Sequence, residues 1–298
     1  MALSAFALRP GRKSGSSEIN EKYLFSMNTD RWIEARHSVL GEGHDANYHF
    51  SMNSNTDFEA TLGAALPDWQ SPAPPEWGSL EGKYARLERL DADTHAALLY
   101  RAFAGHDAVW DYMPYGPFSS AAQYYRWVRE HAAQTDPRFY AIKNLQTGNW
   151  EGVASYLRIS PEAGSIEVGH INFSPALQQT PAATEAMYLM MAWAFDAGYR
   201  RYEWKCNSLN QPSINAAMRL GMSFEGLFRQ ATMVKGHNRD TAWFAILDRD
   251  WPVAQDAFTA WLDPENFDAA GQQKLRLSDL TAPIVESRWP NLNLDVQR

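Results

Sequence analysis

From Pro181 to Ala197 the chain reads PAATEAMYLMMAWAFDA, a helical stretch with Met187, Leu189, Met190, Ala192, Trp193 and Phe195 spread around nearly every side. A helix without a polar face has to be covered all round by other elements. The composition can supply that cover, since 45% of the 298 residues are hydrophobic and 13% are aromatic. The opening of the helix is also unusual, because Glu185 is its first charged residue. Thr180 is placed to cap it, Pro181 falls at the first position, where the missing N–H would have no helical partner, and Gly198 ends it. The sequence therefore predicts unpaired N–H groups on Ala182, Ala183 and Thr184. With the helix dipole these would form an anion site, and the small side chains would let a phosphate come close. An ordinary core helix with a proline start would read the same way.

The flanking sequence predicts the elements that cover this helix. KYARLERLD alternates imperfectly as a strand, Ala92–Gly105 and Ser119–Ala133 read as helices, and RFYAIKNLQTGNWEGVASYLRI reads as a hairpin around Thr-Gly-Asn. SIEVGHINF is a further strand. After the buried helix come strand RRYEWKC, a helix from Gln211 to Leu220, strands SFEGLFRQATMV and DTAWFAILD, and a closing helix from Trp251 to Leu262. The order β-α-α-β-β-β-α-β-α-β-β, partly hairpin-linked, indicates an α+β fold with a mixed central sheet flanked by helices, not a doubly wound parallel sheet. Neither GxGxxG nor GxxxxGK[ST] occurs, so dinucleotide and nucleoside triphosphate sites lack their usual signatures.

Around this domain, placed at 79–262, the sequence reads as a weakly structured tail over 1–54, a proline-rich linker over 55–78 and a C-terminal extension over 263–298 without pattern. The tail lacks acids before Glu18 and carries Arg9, Arg12 and Lys13, a faint likeness to an organellar presequence; a tail on a cytoplasmic protein is the preferred reading. A formal net charge of −8 argues against nucleic acid and anionic membranes as partners and suits an amine-bearing one. One cysteine, Cys206, excludes an internal disulfide, and no metal site is expected.

The block EVGHINFSPALQQTPAATEAMYLMMAWAFDAGYRRYEWKCNSLNQPSINAAMRLGMSFEG, continuing through RDT to ILD, resembles the GNAT superfamily of acyl-CoA-dependent N-acetyltransferases, nearest the ribosomal-protein-alanine (RimJ/RimL) branch. The resemblance covers about residues 80–252. It implies the GNAT fold, acetyl-CoA as co-substrate and an amine acceptor, a small molecule or a protein N-terminus. A homodimer is compatible with it. A catalytically silent GNAT-fold module that binds CoA or regulates is the alternative. The family's pyrophosphate-loop pattern matches as Gln178, Pro181 in place of its first glycine, and Ala183. Since proline cannot donate and the loop has no Lys or Arg, phosphate binding would fall to Gln178, Gln179, Thr180 and the N–H groups of Ala182, Ala183 and Thr184.

The resemblance also implies that the thioester lies along Ile171, Asn172 and Phe173. Glu167, eleven residues before Gln178, sits where several relatives carry a general base. By alternation Glu167 shares a face with Gly169, Ile171 and Phe173, and His170 faces the other way; a bulge near Gly169 would bring both to one side. Relatives often place an acidic tyrosine where this chain has Ala217, so the acid falls to Ser213 of the NxxS match, with Asn210 as a further CoA contact. Plain helix capping is the other reading of Asn210 and Ser213, and a salt bridge or a core imidazole the other reading of Glu167 and His170. Tyr112 and Tyr115, in WDYMPYGP, could shape the acceptor pocket.

Overall fold

The structure is a computed structural model and describes residues 63–76 and 78–290, so the reading of residues 1–54 as a tail lies outside the described residues. The chain divides into two units after Ala65, and the fold is that of the unit beginning at Leu66. Eight strands form one sheet: β1 (Leu80–Glu81), β2 (Ala85–Arg89), β3 (Arg138–Asn144), β4 (Asn149–Ser160), β5 (Ser165–Phe173), β6 (Arg201–Asn207), β7 (Ser223–Val234) and β8 (His237–Leu247). Their order is β1-β2-β3-β4-β5-β6-β8-β7, antiparallel throughout except for the parallel pair β5–β6. Helices α1 (Ala92–Phe103), α2 (Ala121–Ala132), α3 (Pro181–Asp196), α4 (Gln211–Arg219), α5 (Trp251–Leu262) and the short α6 (Leu277–Leu280) complete the unit.

Alternation along the central strands builds two cores. Phe139 and Ala141 of β3 join Val153 of β4 against α1 and α2, while Tyr140, Ile142, Ala154 and Tyr156 face α3. Strands buried on both faces belong in the interior of a sheet, and β3 and β4 lie there. Tyr156 is fully buried, and its hydroxyl donates to the Met190 carbonyl at 2.6 Å, which anchors α3 to the sheet. On β6, Tyr202, Trp204 and Cys206 enter the α3 core, and Arg201, Glu203 and Lys205 take the opposite face. As predicted, α3 is covered along most of its length; Trp251 and Phe258 of α5 stack on Phe195 and Tyr188.

Three features differ from the sequence-based expectation. Strand β8 begins at His237, not Asp240, because Lys235 (φ 49°) and Gly236 (φ 78°) form a two-residue turn with both centres left-handed, pairing Val234 with His237. The part of the proline-rich linker from Leu66 to Glu76 packs on the domain. Pro72 and Pro75 are buried, and the Tyr199 and Tyr140 hydroxyls donate to the carbonyls of Ala73 and Glu76. The patternless C-terminal extension puts Leu277, Ile284 and Trp289 into the α3 core, with Trp289 edge-on to Phe224 at 5.0 Å. Single core residues spaced by turns leave no periodicity to read.

The parallel pairing of β5 with β6 runs only from Ser165–Arg201 to Val168–Trp204. Past Val168 the two strands part, and the cleft-facing edge of β5 has no strand partner.

Candidate active site

A cavity of about 1160 Å³ opens at this fork, walled by the end of β5, the N-terminal turn of α3, helix α4 and part of the C-terminal segment. Of the residues the sequence singled out, Ile171, Asn172 and Phe173 line it from β5, and Gln178, Gln179, Ala183 and Thr184 line it from the loop and α3. Asn210, Ser213 and Tyr112 line it as well. Thr180, Ala182, Tyr115, Glu167 and His170 do not form its wall.

The helix opening is more fully bonded than expected. Pro181 is the first residue of α3, but the Thr180 hydroxyl accepts the Ala183 N–H at 3.1 Å and the Thr180 carbonyl accepts that of Thr184 at 3.3 Å. The prediction of three unpaired donors is therefore corrected: a capping threonine uses up the N–H it caps. Ala182 is fully buried. Gln178 turns back to donate to the Phe173 carbonyl at 2.9 Å, which ties the loop to the end of β5, and Gln179 adopts a left-handed φ of 60°. Glu185 explains the late first charge. Its buried carboxylate accepts the backbone N–H groups of Lys83, Tyr84 and Ala85 at 2.9, 2.5 and 2.7 Å, pinning the β1–β2 turn to α3. Gly82 is needed there, because a Cβ would stand 2.3 Å from Glu185 Cδ.

The bulge expected near Gly169 is present. Ser155 pairs with Gly169 and Val153 with Asn172, so β5 carries one extra residue, with His170 at φ 50°. Plain alternation is thereby corrected: Glu167, Gly169 and Asn172 share the face of Leu157, Ser155 and Val153. His170 lies on that side too, 5.0 Å from the Phe139 ring, with Nδ1 3.0 Å from the Tyr115 hydroxyl. Burial, and after it the charge of His131, lowers the His170 pKa to about 4, so the imidazole is neutral near pH 7. Burial also holds the Tyr115 hydroxyl well above its ordinary pKa. Tyr115 thus packs against His170 instead of facing the cavity. Tyr112 bridges the mouth, donating to the Leu209 carbonyl at 3.0 Å.

Glu167 is buried between two cations. Arg158 Nη1 and Lys205 Nζ each lie 2.7 Å from its oxygens. Burial raises its pKa more than Lys205 and Arg158 lower it. The pairing continues along β6 from Lys205 to Glu203 at 2.7 Å and Glu203 to Arg201 at 2.6 Å, and from Arg201 to Glu225 of β7. The line of alternating charge passes from β4 through β5 and then follows β6 along the stretch that pairs with β5.

Asn210 caps α4 by accepting the Ser213 N–H at 3.2 Å, the capping role foreseen as the alternative, and both side chains still face the cavity. Trp204 Nε1 donates to Ser213 Oγ at 3.0 Å, and the serine hydroxyl, still able to donate, lies within hydrogen-bonding reach of the Cys206 sulfur. Cys206 is buried and its thiol is pushed up to about 11, so it stays protonated and unreactive. The side-chain amide of Asn172 is buried, and its Nδ2 has no hydrogen-bond partner among the described residues. A buried donor of this kind at a cavity wall suits a ligand acceptor. The sequence did not single out Arg219, Trp261 and Gln272, which also line the cavity. Two of the three lie at or beyond the last predicted helix, and no motif marks them.

Among the described residues no cluster of His, Cys, Asp and Glu could hold a metal ion, and no helix is long and apolar enough to cross a membrane. The acetyltransferase (GNAT) domain family matches residues 85–223. A GCN5-related N-acetyltransferase from Brucella melitensis is 42% identical, with a TM-score of 0.72 over 73% of this chain and 100% of its own. A probable acetyltransferase of the GNAT family from Chromobacterium violaceum ATCC 12472 is 41% identical, with a TM-score of 0.61 over 63% of this chain and 96% of its own. The microcin C7 self immunity acetyltransferase MccE, solved in complex with acetyl-CoA and AMP, is 18% identical, with a TM-score of 0.51 over 56% of this chain and 93% of its own, and shares the fold alone. No protein of curated function matches the sequence. The forked sheet, the helix start set against it and two solved relatives above 40% identity over nearly their whole length converge, and the chain belongs to the GCN5-related N-acetyltransferase (GNAT) family.

Proposed function

We propose that this chain is an acetyl-CoA-dependent N-acetyltransferase of RimJ/RimL-like type, acting on the amine of a small molecule or a protein N-terminus. The observation that carries the reading is the cavity at the β5–β6 fork, where a strand edge without a strand partner runs beside Ser213 and Asn172, both of which line the same wall. An extended pantetheine arm can add to such an edge as a further strand would. Acetyl-CoA, when bound, supplies an activated acetyl thioester; the acetyl–sulfur bond breaks as the acetyl–nitrogen bond forms.

The residues divide the remaining work. Asn172 Nδ2 is the donor for a carbonyl oxygen of the bound ligand, the kind of preorganised contact that stabilises a developing oxyanion. Ser213, held in place by Trp204, turns its hydrogen from the Cys206 sulfur toward the leaving thiolate. Glu167 is held off the wall by Arg158 and Lys205, so it takes the amine proton through a water. His170, neutral and bonded to Tyr115, holds the bulge. Acetyl-CoA binding by calorimetry, followed by thiol release against a panel of amines, tests the reading; absence of binding at millimolar acetyl-CoA would refute it.

A further inference from the structure

The wall of the cavity carries one charged side chain among the described residues, Arg219, and no carboxylate. Arg219 ends α4, donates through Nη1 to Thr184 Oγ1 at 3.1 Å and lies with Cζ 4.8 Å from the centre of the Trp261 ring. No carboxylate pairs with it among the described residues, although burial lowers its pKa and so disfavours its charge. A half-buried guanidinium with a single neutral hydrogen bond keeps most of its donors unused. Its uncompensated charge, in a cavity otherwise neutral, marks where an anionic part of a ligand belongs.

The C-terminal segment builds the other side of this corner. Phe267 pairs with Gln273 in an isolated bridge, and Trp261 Nε1 donates to Gln273 Oε1 at 2.7 Å. Asp268 folds the intervening loop by accepting the N–H groups of Ala270 and Gln272. Gly271, Gln272 and Gln273 thereby reach the cavity wall beside Trp261. This segment lies beyond residues 85–223, where the family domain matches.

We infer that Arg219, held between Thr184 and Trp261 and enclosed by the 267–273 segment, binds a phosphate group of the CoA nucleotide in place of the basic loop residue this chain lacks. The inference rests on the acetyl-CoA reading. A bidentate or charge-assisted contact from guanidinium to phosphate suits either the pyrophosphate or the 3′-phosphate, and the two sources are separable by ligand.

Calorimetry on the full chain with CoA and with dephospho-CoA, for wild type, Arg219→Gln and Arg219→Lys, tests it. Arg219→Gln should weaken CoA binding by about tenfold or more, and Arg219→Lys by less, because a point charge replaces the fork. If the contact is to the 3′-phosphate, Arg219→Gln binds dephospho-CoA as wild type does; if it is to the pyrophosphate, both ligands weaken alike. Gln272→Glu, which places a carboxylate on the opposite wall, should weaken CoA severalfold and carries the test should Arg219→Gln fail to fold. An Arg219→Gln protein of wild-type melting temperature that binds CoA within twofold of wild type overturns the inference alone. A wild type that binds neither ligand overturns the acetyl-CoA reading and this inference with it.

Discussion

Replacing Glu185 with alanine should cost about 4 kcal/mol of stability, an unusually large effect for one residue. The carboxylate accepts three backbone N–H groups at 2.5–2.9 Å, two of them on the buried residues Tyr84 and Ala85. Hydrogen bonds to a charged group contribute roughly 1.5–3 kcal/mol each, and every buried donor left without a partner costs about 1–3 kcal/mol. Against these stands the recovered cost of burying the carboxylate, several kcal/mol, so the net falls near the roughly 3–5 kcal/mol typical of breaking a buried ionic contact from one side. For a domain of this size about 4 kcal/mol corresponds to a fall in melting temperature of roughly 8–16 °C. Thermal melts by circular dichroism, with urea titrations as a second measure, read it directly. Glu185→Gln retains one acceptor oxygen and should lose about half as much. A loss under about 1 kcal/mol for Glu185→Ala would show that the β1–β2 turn is held by other contacts and that the three bonds add little net stability.

Gly82→Ala should destabilise the same junction by about 1–3 kcal/mol through overpacking, since the added Cβ would meet the Glu185 carboxylate; an unchanged melting temperature would mean the turn shifts freely. Ala183→Asp sets a carboxylate on the cavity wall and should abolish the rise in melting temperature that acetyl-CoA gives to wild type. Glu167→Gln should cut turnover by roughly 10²- to 10⁴-fold while acetyl-CoA still binds, and the acidic limb of the rate profile should vanish; activity within threefold of wild type with the same profile excludes a base. His170 has a folded pKa near 4, below its unfolded value of about 6.5, so the unfolded chain binds the extra proton between those values and stability falls as pH drops through that window. His170→Asn, which tolerates the left-handed φ, should flatten this part of a urea-midpoint profile relative to wild type.

Between Ala85 and Leu262 the elements were legible because each carries its own period or its own stop. Gly198 and Gly221 mark helix ends, and the alternation of RRYEWKC separates the core face of β6 from its charged face. What escaped was set by partners far away in sequence. The role of Glu185 depends on N–H groups about a hundred residues upstream, and the true face of Asn172 depends on the register of β5 against β4. The start of β8 was hidden by a turn that puts Lys235 where asparagine is the usual signal. At the site, residues in the loop and the NxxS helix were readable from motif order, and most of them line the cavity. Arg219 and Trp261 were not, because their meaning arises only when the end of α4, the start of α3 and the C-terminal segment meet.

The charge line through Glu167 bears on why the fork opens where it does. Arg158 on β4, Glu167 on β5, and Lys205, Glu203 and Arg201 on β6 alternate in sign across three adjacent strands, and Glu225 on β7 extends the line. Exposed pairs of this kind contribute little, but Glu167 and Lys205 are 3% and 8% exposed, so the loss of either takes from the other one of its two buried ionic partners and leaves Glu167 with Arg158 alone or Lys205 with Glu203 alone. Glu167 and Lys205 sit one position before and one position after the last β5–β6 pair, Val168–Trp204, and so hold the strands together up to the point where they separate. Beyond that point the extra residue at His170 turns β5 out of register. Glu167 therefore meets two demands at once: it must stay ionised to hold Lys205, and it must accept a proton to act as a base. A water between the carboxylate and the amine reconciles them if the proton passes on to solvent and does not rest on Glu167. Lys205→Met separates the two roles, because it removes the partner and keeps the carboxylate: a fork held by Glu167 predicts weakened acetyl-CoA binding in that variant, whereas a purely catalytic Glu167 predicts intact binding with a displaced acidic limb.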